Sequence, residues 1–589
     1  MERIENIGVV GCGTMGSGIC EVVARGGKPV HFVEVSDAMV EKGLARIDSS
    51  LQRAVDRGKL DESEKTAIFE RISGGTDFTA LADCDLVVEA VPEVLDMKQD
   101  TFRKLDDVLR PDAIVATNTS SLGVIDVAVQ TKRPDRVLGF HFFNPAPVMK
   151  LVEMITTVVT NPEVVELART FAEDLGKTPV VVRDRAGFIA NLLLFPYLNQ
   201  AVGMVESGYA LREDIDAAMR FGTGHPIGPI WLVDLIGIDS TNSIMERMYE
   251  QFGDVRYAPK PIIRQLKSAG FLGRKSGRGF YTYDKPNSSR VAANDASVTP
   301  PVDGDVIASW GTVGVVGSGT MAAGIAEVCA KAGYDVIIRG RTVNKAQQAK
   351  GAVGTSLDRL VDKGELDPGG REDVMQRLTA TDGLASLAEC DLVIEAVVES
   401  LEIKRPLFEE LDKITKPDCV LATTTSSLPV IEMAMATDRP SQVVGLHFFN
   451  PAAVMKLVEI IPTVRTDPAT VMQMRALTEK IGKHGVLCRD RAGFIVNALL
   501  FPYLNDATRM LQDGYATAPE IDTAMRLGCA HPLGPFAVMD IVGLDVTLEI
   551  CRALYAEFRD PGFAPVPLLE HMVSVGYLGR KVGRGFYTY

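Results

Sequence analysis

"IGVVGCGTMGSGICEVVARGGKPVHFVE" runs from Ile7 to Glu34, and "VGVVGSGTMAAGIAEVCAKAGYDVIIRGRT" from Val313 to Thr342. Each reads as a short apolar strand, a glycine turn, a helix and a second strand. In the first, Gly11, Gly13 and Gly16 form GxGxxG. The first glycine allows the tight turn, the second lets backbone approach a pyrophosphate, and the third lets helix pack on strand, with the helix N-terminus facing the anion. Glu34, near the end of the second strand, can accept hydrogen bonds from an adenosine ribose. The alternative is a glycine-rich turn without a ligand. The strand before the turn, the helix after it and the acid at Glu34 favour a dinucleotide site.

The second stretch exposes a repeat. His141 and His447 are 306 residues apart, and the same lag joins Gly11 to Gly317, Glu89 to Glu395, Asn191 to Asn497 and His225 to His531. It also joins "GRGFYTY" at 277–283 to the same letters at 583–589. A unit this long is a whole protein duplicated, not a solenoid repeat. Between the copies, DKPNSSRVAANDASVTPPVDGDVIAS reads as a linker. Strands alternating with helical stretches imply a mostly parallel, doubly wound α/β sheet in each copy. "CDLVVEAVPE" and "CDLVIEAVVE" end as strands in acids, and "AIVATNTSSL" and "CVLATTTSSL" end in hydroxyl-rich turns. In such sheets ligands sit beyond the carboxyl ends of the strands, where these polar clusters lie.

Bulk properties narrow the function classes. A chain of 589 residues suggests roughly three to five domains. No run of about 18 uncharged apolar residues occurs, so no membrane span is expected. The N-terminus lacks the basic, apolar and small-residue succession of a cleaved signal peptide. Nine cysteines scattered without CxxC or zinc spacing read as reduced thiols in a cytoplasmic protein, with no metal site. A net charge of −15 argues against a nucleic-acid partner.

Copy two keeps Gly317 and Gly319 but has Ala322 at the third glycine and Gly340 where Glu34 stands, flanked by Arg339 and Arg341. A carboxylate repels a 2′-phosphate and guanidinium groups attract it. The expectation is therefore NAD for copy one and NADP for copy two. Its rival is that the arginines line a solvent edge and copy two binds NAD weakly or nothing.

"HFFNPAPVMKLVE" (His141–Glu153) and "HFFNPAAVMKLVE" (His447–Glu459) differ in one letter. If "VMKLVEMI" is extended, Met149, Leu151, Glu153 and Ile155 share one face, so Glu153 and Glu459 lie among apolar neighbours. A buried carboxylate needs a partner, and an imidazole is the natural one. The carboxylate fixes the ring tautomer and raises the basicity of the other nitrogen, as alcohol deprotonation requires while hydride leaves the carbon. The alternative is two core residues kept for packing. A seryl hydroxyl of "NTSSL" and Asn191 suit substrate contacts or structure equally well. His225 and His531, in HPxGP turns, read as architecture. His31, His484 and His571 have no counterpart at the lag and read as surface or packing residues.

Each half resembles the 3-hydroxyacyl-CoA dehydrogenase family, including its short-chain 3-hydroxybutyryl-CoA members. The resemblance rests on GxGTM, "NTSSL", "HFFNPxxVMKLVE", "RDRAGFIxNxLLFPYLN" and "GRKxGRGFYTY" and covers nearly all of both repeats. It implies a Rossmann domain plus an all-α C-terminal domain, the whole unit duplicated: 1–184 and 185–283, a linker at 284–310, then 311–490 and 491–589. It implies reversible oxidation of an (S)-3-hydroxyacyl-CoA to a 3-oxoacyl-CoA. By the same resemblance His141 is the general base, Glu153 its orienting partner, and Ser120 and Asn191 contact the substrate. The second set is His447, Glu459, Ser426 and Asn497. Cofactor contacts fall on Thr14 and Met15 of the glycine motif and on Glu34, Glu93, Lys98, Asn144 and Lys275. Their counterparts are Thr320, Met321, Glu399, Lys404, Asn450 and Lys581, with Glu34 alone lost. Ser50 and Arg57 occupy CoA-contact positions, matched by Ser356 and Lys363. Asn118 becomes Thr424, a departure near the second site.

Family members pair through their helical domains, so 185–283 is expected to pack on 491–589 as an intramolecular pseudo-dimer, with further homo-oligomerisation open. Two rival readings remain. One is a dehydrogenase of a small free hydroxy acid, against which MKLVE and the basic pair Arg57/Lys363 speak. The other is a cofactor-binding structural or sensory protein with an inactive second copy, against which the intact His447–Glu459 pair speaks. An exchange of reducing equivalents between NAD and NADP pools would follow only from Arg339 and Arg341.

Overall fold

The computed structural model describes residues 3–293, 295 and 304–589. Of the expected linker, residues 294 and 296–303 lie outside the described residues. Its described ends are packed, despite their polar composition. Val291 bridges to Tyr283, Asp295 pairs with Arg212 at 2.6 Å, and Ile307 is buried in the core of copy two.

Copy one forms an eight-stranded sheet: β1 (Ile7–Val10), β2 (Val30–Val33), β3 (Ile72–Gly75), β4 (Leu86–Glu89), β5 (Ile114–Thr117), β6 (Val137–Phe142), β7 (Leu151–Thr156) and β8 (Thr178–Arg183). Its order is β3-β2-β1-β4-β5-β6-β7-β8. The first six strands follow the doubly wound order, with the crevice at the β1–β4 switch point. β1, β4 and β5 are apolar without alternation and buried throughout, as a sheet covered on both faces requires. Copy two repeats the arrangement with β9 (Thr312–Val316), β10 (Asp335–Arg339), β11 (Leu378–Thr381), β12 (Leu392–Glu395), β13 (Val420–Thr423), β14 (Val443–Phe448), β15 (Leu457–Pro462) and β16 (His484–Leu487).

The pairing of β6 with β7 is antiparallel, and its register sets His141 directly opposite Glu153. β14 and β15 set His447 opposite Glu459 in the same way. This answers why a spacing of twelve recurs: the intervening residues turn the chain back on itself. The extended run begins at Leu151, not Val148, because the amides of Val148 and Met149 donate to the Pro145 carbonyl in that turn.

Beyond each sheet the chain is helical. The helix Ala190–Glu206 is buried on almost every side and packs against its counterpart Val496–Gln512. One continuous apolar cluster holds Leu193, Tyr197 and Leu198 with Leu499, Tyr503 and Leu504. The copies also cross over. Helix Arg212–Gly222 packs on β15 and β16, and helix Ala518–Gly528 on β7 and β8. A Cβ on Gly528 would meet Leu151 and Phe143, and one on Gly222 would meet Leu457 and Val496. Tyr209 donates to the Arg489 carbonyl at 3.1 Å and Tyr515 to that of Arg183 at 2.8 Å. Arg256 pairs with Asp506 across the contact. Each copy's helices thus cover the other's last strands.

At the pseudo-twofold, His225 and His531 stack with ring centroids 4.0 Å apart, each buried. Their Nδ1 atoms face the Tyr197 and Tyr503 hydroxyls at 3.5 and 3.3 Å. Burial lowers the pKa of His225 to about 4; burial and the facing His225 take His531 well below its ordinary value. Between about pH 6.5 and 4 the unfolded chain therefore binds protons that the folded chain refuses. Stability is lost as pH falls through this window. His225 alone should cost about 2 kcal/mol between pH 7 and pH 5. Urea unfolding at both pH values should show that loss, and the double variant His225→Phe/His531→Phe should lack it. An equal acid sensitivity in the variant would contradict the assignment.

Candidate active site

The imidazole–carboxylate pairs sit at the carboxyl ends of the two sheets. His141 Nδ1 lies 2.8 Å from Glu153 Oε2, and His447 Nδ1 lies 2.6 Å from Glu459 Oε2. The carboxylates are fully buried, and the imidazoles nearly so. Because an ionised carboxylate only accepts, Nδ1 carries the proton and Nε2 is left as acceptor in the neutral ring. Nε2 faces the Ser120 hydroxyl at 3.1 Å, and that of His447 faces Ser426 at 3.0 Å.

The second oxygen of each carboxylate is held by backbone. Glu153 Oε1 accepts from the amides of Ile189 and Ala190 at 3.0 and 2.9 Å. Glu459 Oε1 accepts from Ile495 and Val496, both at 2.9 Å. These amides open the buried helices Ala190–Glu206 and Val496–Gln512, where the helix dipole favours a negative charge. Asn191 and Asn497 follow one residue later, so the structure brings them to the same helix starts.

Ser120 is positioned through Glu93. That carboxylate accepts from the Thr119 hydroxyl at 2.6 Å and from the amides of Ser120 and Ser121 at 2.9 and 3.0 Å. Burial pushes its pKa up, but Lys98, the Thr119 hydroxyl and the two amides outweigh burial and leave it below the ordinary value. Glu399 repeats the pattern with Thr425, Ser426 and Ser427. Lys98 and Lys404 are enclosed. Their ammonium groups lie 2.8 Å from Glu89 and Glu395, and 3.4 and 3.6 Å from Glu93 and Glu399. Each lysine therefore neutralises two acids instead of presenting a free charge. Glu89 and Glu395, which sequence reasoning left without a role, are their principal partners. The signal was available in the recurrence of an acid nine residues before a lysine in both copies.

The glycine loop fits a dinucleotide. A Cβ on Gly16 would fall 1.8 Å from the Gly11 carbonyl oxygen, whereas one on Gly13 or Gly319 would meet nothing within 4 Å. The helix Thr14–Arg25 therefore packs closely on the turn while the space above the loop stays open. Ala322 is tolerated because Gly317 adopts φ 144° where Gly11 has φ 88°. Glu34 is nearly buried, and its carboxylate accepts from the Cys12 amide at 2.7 Å, which seats an acid beside the loop. In copy two Gly340 carries no acid and is buried, a Cβ there meeting the Ala346 amide nitrogen at 2.7 Å. Arg339 Nε donates to the Asp382 carbonyl at 3.1 Å, and Arg341 is exposed.

A cleft of about 520 Å³ runs past this loop, lined by Thr14, Arg46, Ser50, Arg53, Asn144 and Pro147 among others. Lys42 also lines it. Arg57 caps the C-terminal end of the helix Asp37–Asp56 and is exposed, and it is not among the lining residues. The basic lining comes instead from Lys42, Arg46 and Arg53. Their spacing puts them on one helical face, a signal the sequence carries. In copy two Ser356 lies on the matching helix Val343–Asp362, and Lys363 caps it. Lys275 and Lys581 lie on the C-terminal segments, each 2.5 Å from an aspartate, Asp239 or Asp545.

Two further details were missed. Lys177 is buried and donates to the Ala146 and Met149 carbonyls at 2.6 and 2.8 Å, bracing the turn between His141 and Glu153. Burial lowers its pKa to about 8. Lys483 braces the second turn likewise. The Asn118 side chain accepts from the Phe142 amide at 2.9 Å, a bond to the strand end beside His141 that the change to Thr424 alters.

Comparison with known proteins agrees with this geometry. The model of the 3-hydroxyacyl-CoA dehydrogenase NAD binding domain matches residues 6–185 and again 312–491. That of the family's C-terminal domain matches 187–283 and 493–589. A 3-hydroxybutyryl-CoA dehydrogenase of Mycobacterium tuberculosis is 46% identical over 284 residues, spanning 48% of this chain and 99% of that protein. The mitochondrial hydroxyacyl-coenzyme A dehydrogenase of Mus musculus is 42% identical, spanning 47% of this chain and 90% of its own. The crystal structure of 3-hydroxybutyryl-CoA dehydrogenase from Escherichia coli K12 aligns with 97% of this chain and 99% of that one, at 27% identity and a TM-score of 0.70. With both domain models matched twice, this chain belongs to the 3-hydroxyacyl-CoA dehydrogenase family and carries the family's complete unit in two copies.

Proposed function

We propose that both copies interconvert an (S)-3-hydroxyacyl-CoA and the 3-oxoacyl-CoA, with short acyl groups such as 3-hydroxybutyryl among the substrates. The observation that carries this reading is the pair of imidazoles whose Nε2 atoms face Ser120 and Ser426, each backed by a buried carboxylate. Nε2 takes the substrate hydroxyl proton while the serine hydroxyl and Asn191 or Asn497 hold the same oxygen. Glu153 and Glu459 keep the ring oriented and stabilise it once it is charged. A nicotinamide dinucleotide with its pyrophosphate on the glycine loop would supply the hydride acceptor. Thr14, Met15, Glu34 and Asn144, with Thr320, Met321 and Asn450, hold the cofactor. Glu93, Glu399, Lys98 and Lys404 act on it indirectly, by shaping the serine turn. Lys275 and Lys581 complete that cofactor set. The CoA phosphates meet Ser50 and the basic helix face, with Ser356 and Lys363 opposite in copy two. The functional division follows 1–184, 185–283, 311–490 and 491–589. Nine free cysteines suit a cytoplasmic setting, and among the described residues no helix is long and apolar enough to cross a membrane.

The cofactor preferences differ by the same logic as the sequence suggests. Copy one uses NAD through Glu34. Copy two uses NADP through Arg339 and Arg341, supported by the loss of the acid at Gly340 and the exposed Arg341.

His141→Gln should leave only the turnover of copy two, and His447→Gln only that of copy one. The double variant should fall by about 10² to 10⁴ against the intact chain. Undiminished turnover in the double variant would remove the reading. With acetoacetyl-CoA, the His447→Gln protein should favour NADH over NADPH by about tenfold or more, and the His141→Gln protein should reverse that order. Equal NADH preference in both would overturn the cofactor assignment and leave the reaction standing.

A further inference from the structure

The helical halves meet on a pseudo-twofold, and many of their features recur in both directions. His225 faces His531, and Asn199 holds the Arg256 and Ala258 carbonyls as Asn505 holds those of Gly562 and Ala564. One group of residues breaks this symmetry. Arg256 has Gly562 as its counterpart, and Asp506 has Gln200. Arg256 is held by Asp254 of its own copy at 2.6 Å and pairs with Asp506 of the other. At the reciprocal place Gln200 donates instead to the Ala498 carbonyl at 2.7 Å.

Arg256 and Gly562 also touch. A Cβ added to Gly562 would lie 2.9 Å from Arg256 Cδ, closer than two such carbons pack. The arginine stem thus lies in space that its own counterpart leaves open by having no side chain. Asp506 is largely buried, with 13% of its side chain exposed, and burial raises its pKa even with Arg256 and Arg509 beside it.

By the same symmetry, two copies of 185–283 would bring Arg256 against Arg256, with overlapping stems, like charges and Gln200 in place of the acid. Two copies of 491–589 would set glycine against glycine and leave each Asp506 only the Arg509 of its own helix, 2.6 Å away. A buried carboxylate that loses one of its cations is destabilised, and an unfilled contact forfeits packing. We propose that Arg256 and Asp506, with Gly562 and Gln200 as their complements, make the surface of each helical half select the other, so that 185–283 takes 491–589 in preference to a second 185–283. The device works as much by penalising like pairs as by holding the unlike one. Two unlike catalytic copies then always come together.

The test begins with the uncut, full-length protein in urea. Gly562→Arg should lower the unfolding midpoint, and adding Arg256→Gly should restore most of it, because only one of the two places has room for an arginine. A neutral Gly562→Arg, or one that Arg256→Gly does not relieve, would overturn the proposal. The second measurement reads selectivity itself. A protease site placed within 296–303 is cut in the purified protein, both parts are unfolded and refolded together, and native mass spectrometry counts the pairs. Unlike pairs should exceed the random proportion by about tenfold or more. In the Arg256→Gly/Asp506→Gln protein, whose two copies match at these places, the proportion should move toward random. Random pairing of the unaltered parts, or undiminished selectivity in that variant, would overturn the proposal.

Discussion

One carboxylate in each copy joins the two halves of the unit. Glu153 reaches His141 on the neighbouring strand with one oxygen and the first amides of the helical half with the other. Burying a charged group costs several kcal/mol unless donors surround it. Here the donors come from two different domains, so the sheet and the helix Ala190–Glu206 must dock before the charge is satisfied. The same docking brings Asn191, in the first turn of that helix, to the end that binds Glu153. Glu459 does this in copy two with nearly the same distances. Orientation of the base and closure of the domains are therefore one event.

That joint is reinforced from across the pseudo-twofold. Tyr209 and Tyr515 reach over to the carbonyls of Arg489 and Arg183, next to the segments that lead into the carboxylate-binding amides. Helices of each copy lie on β7 and β8 or β15 and β16 of the other. Covalent fusion fixes this arrangement at a single chain's concentration and frees the two halves to diverge. They have diverged where the pair of sites can differ without breaking the shared core: at Glu34 against Gly340 and at Asn118 against Thr424.

Much of this was legible in the letters. Glycine spacing, apolar strand runs and the recurrent His–Glu pair belong to local physics, and a lag of 306 residues doubled each signal. The antiparallel pairing of β6 with β7 was not read, although the segment 143–150 is too short for a parallel crossover. What escaped was long-range. An acid nine residues before Lys98 and Lys404 recurs in the letters, but only the fold shows the Lys98 ammonium enclosed by Glu89 and Glu93. Lys177 looks like an ordinary charge before a strand, yet it braces a turn some thirty residues earlier. Arg57 drew attention as a basic residue, although Arg53 a turn earlier lines the cleft, because the helix ends at Asp56 and Arg57 lies past it as the cap. The packed ends of the linker were hidden by their polar composition.

The central claim is that the carboxylate at β7 fixes the proton on Nδ1 of His141 and leaves Nε2 bare toward Ser120. Nitrogen-15 NMR of the imidazole in histidine-labelled, full-length His447→Gln protein, read with the ring neutral and assigned by loss of the signal in the double variant, reports the tautomer directly. A protonated Nδ1 with an unprotonated Nε2 is the predicted result. A proton on Nε2 would contradict the account.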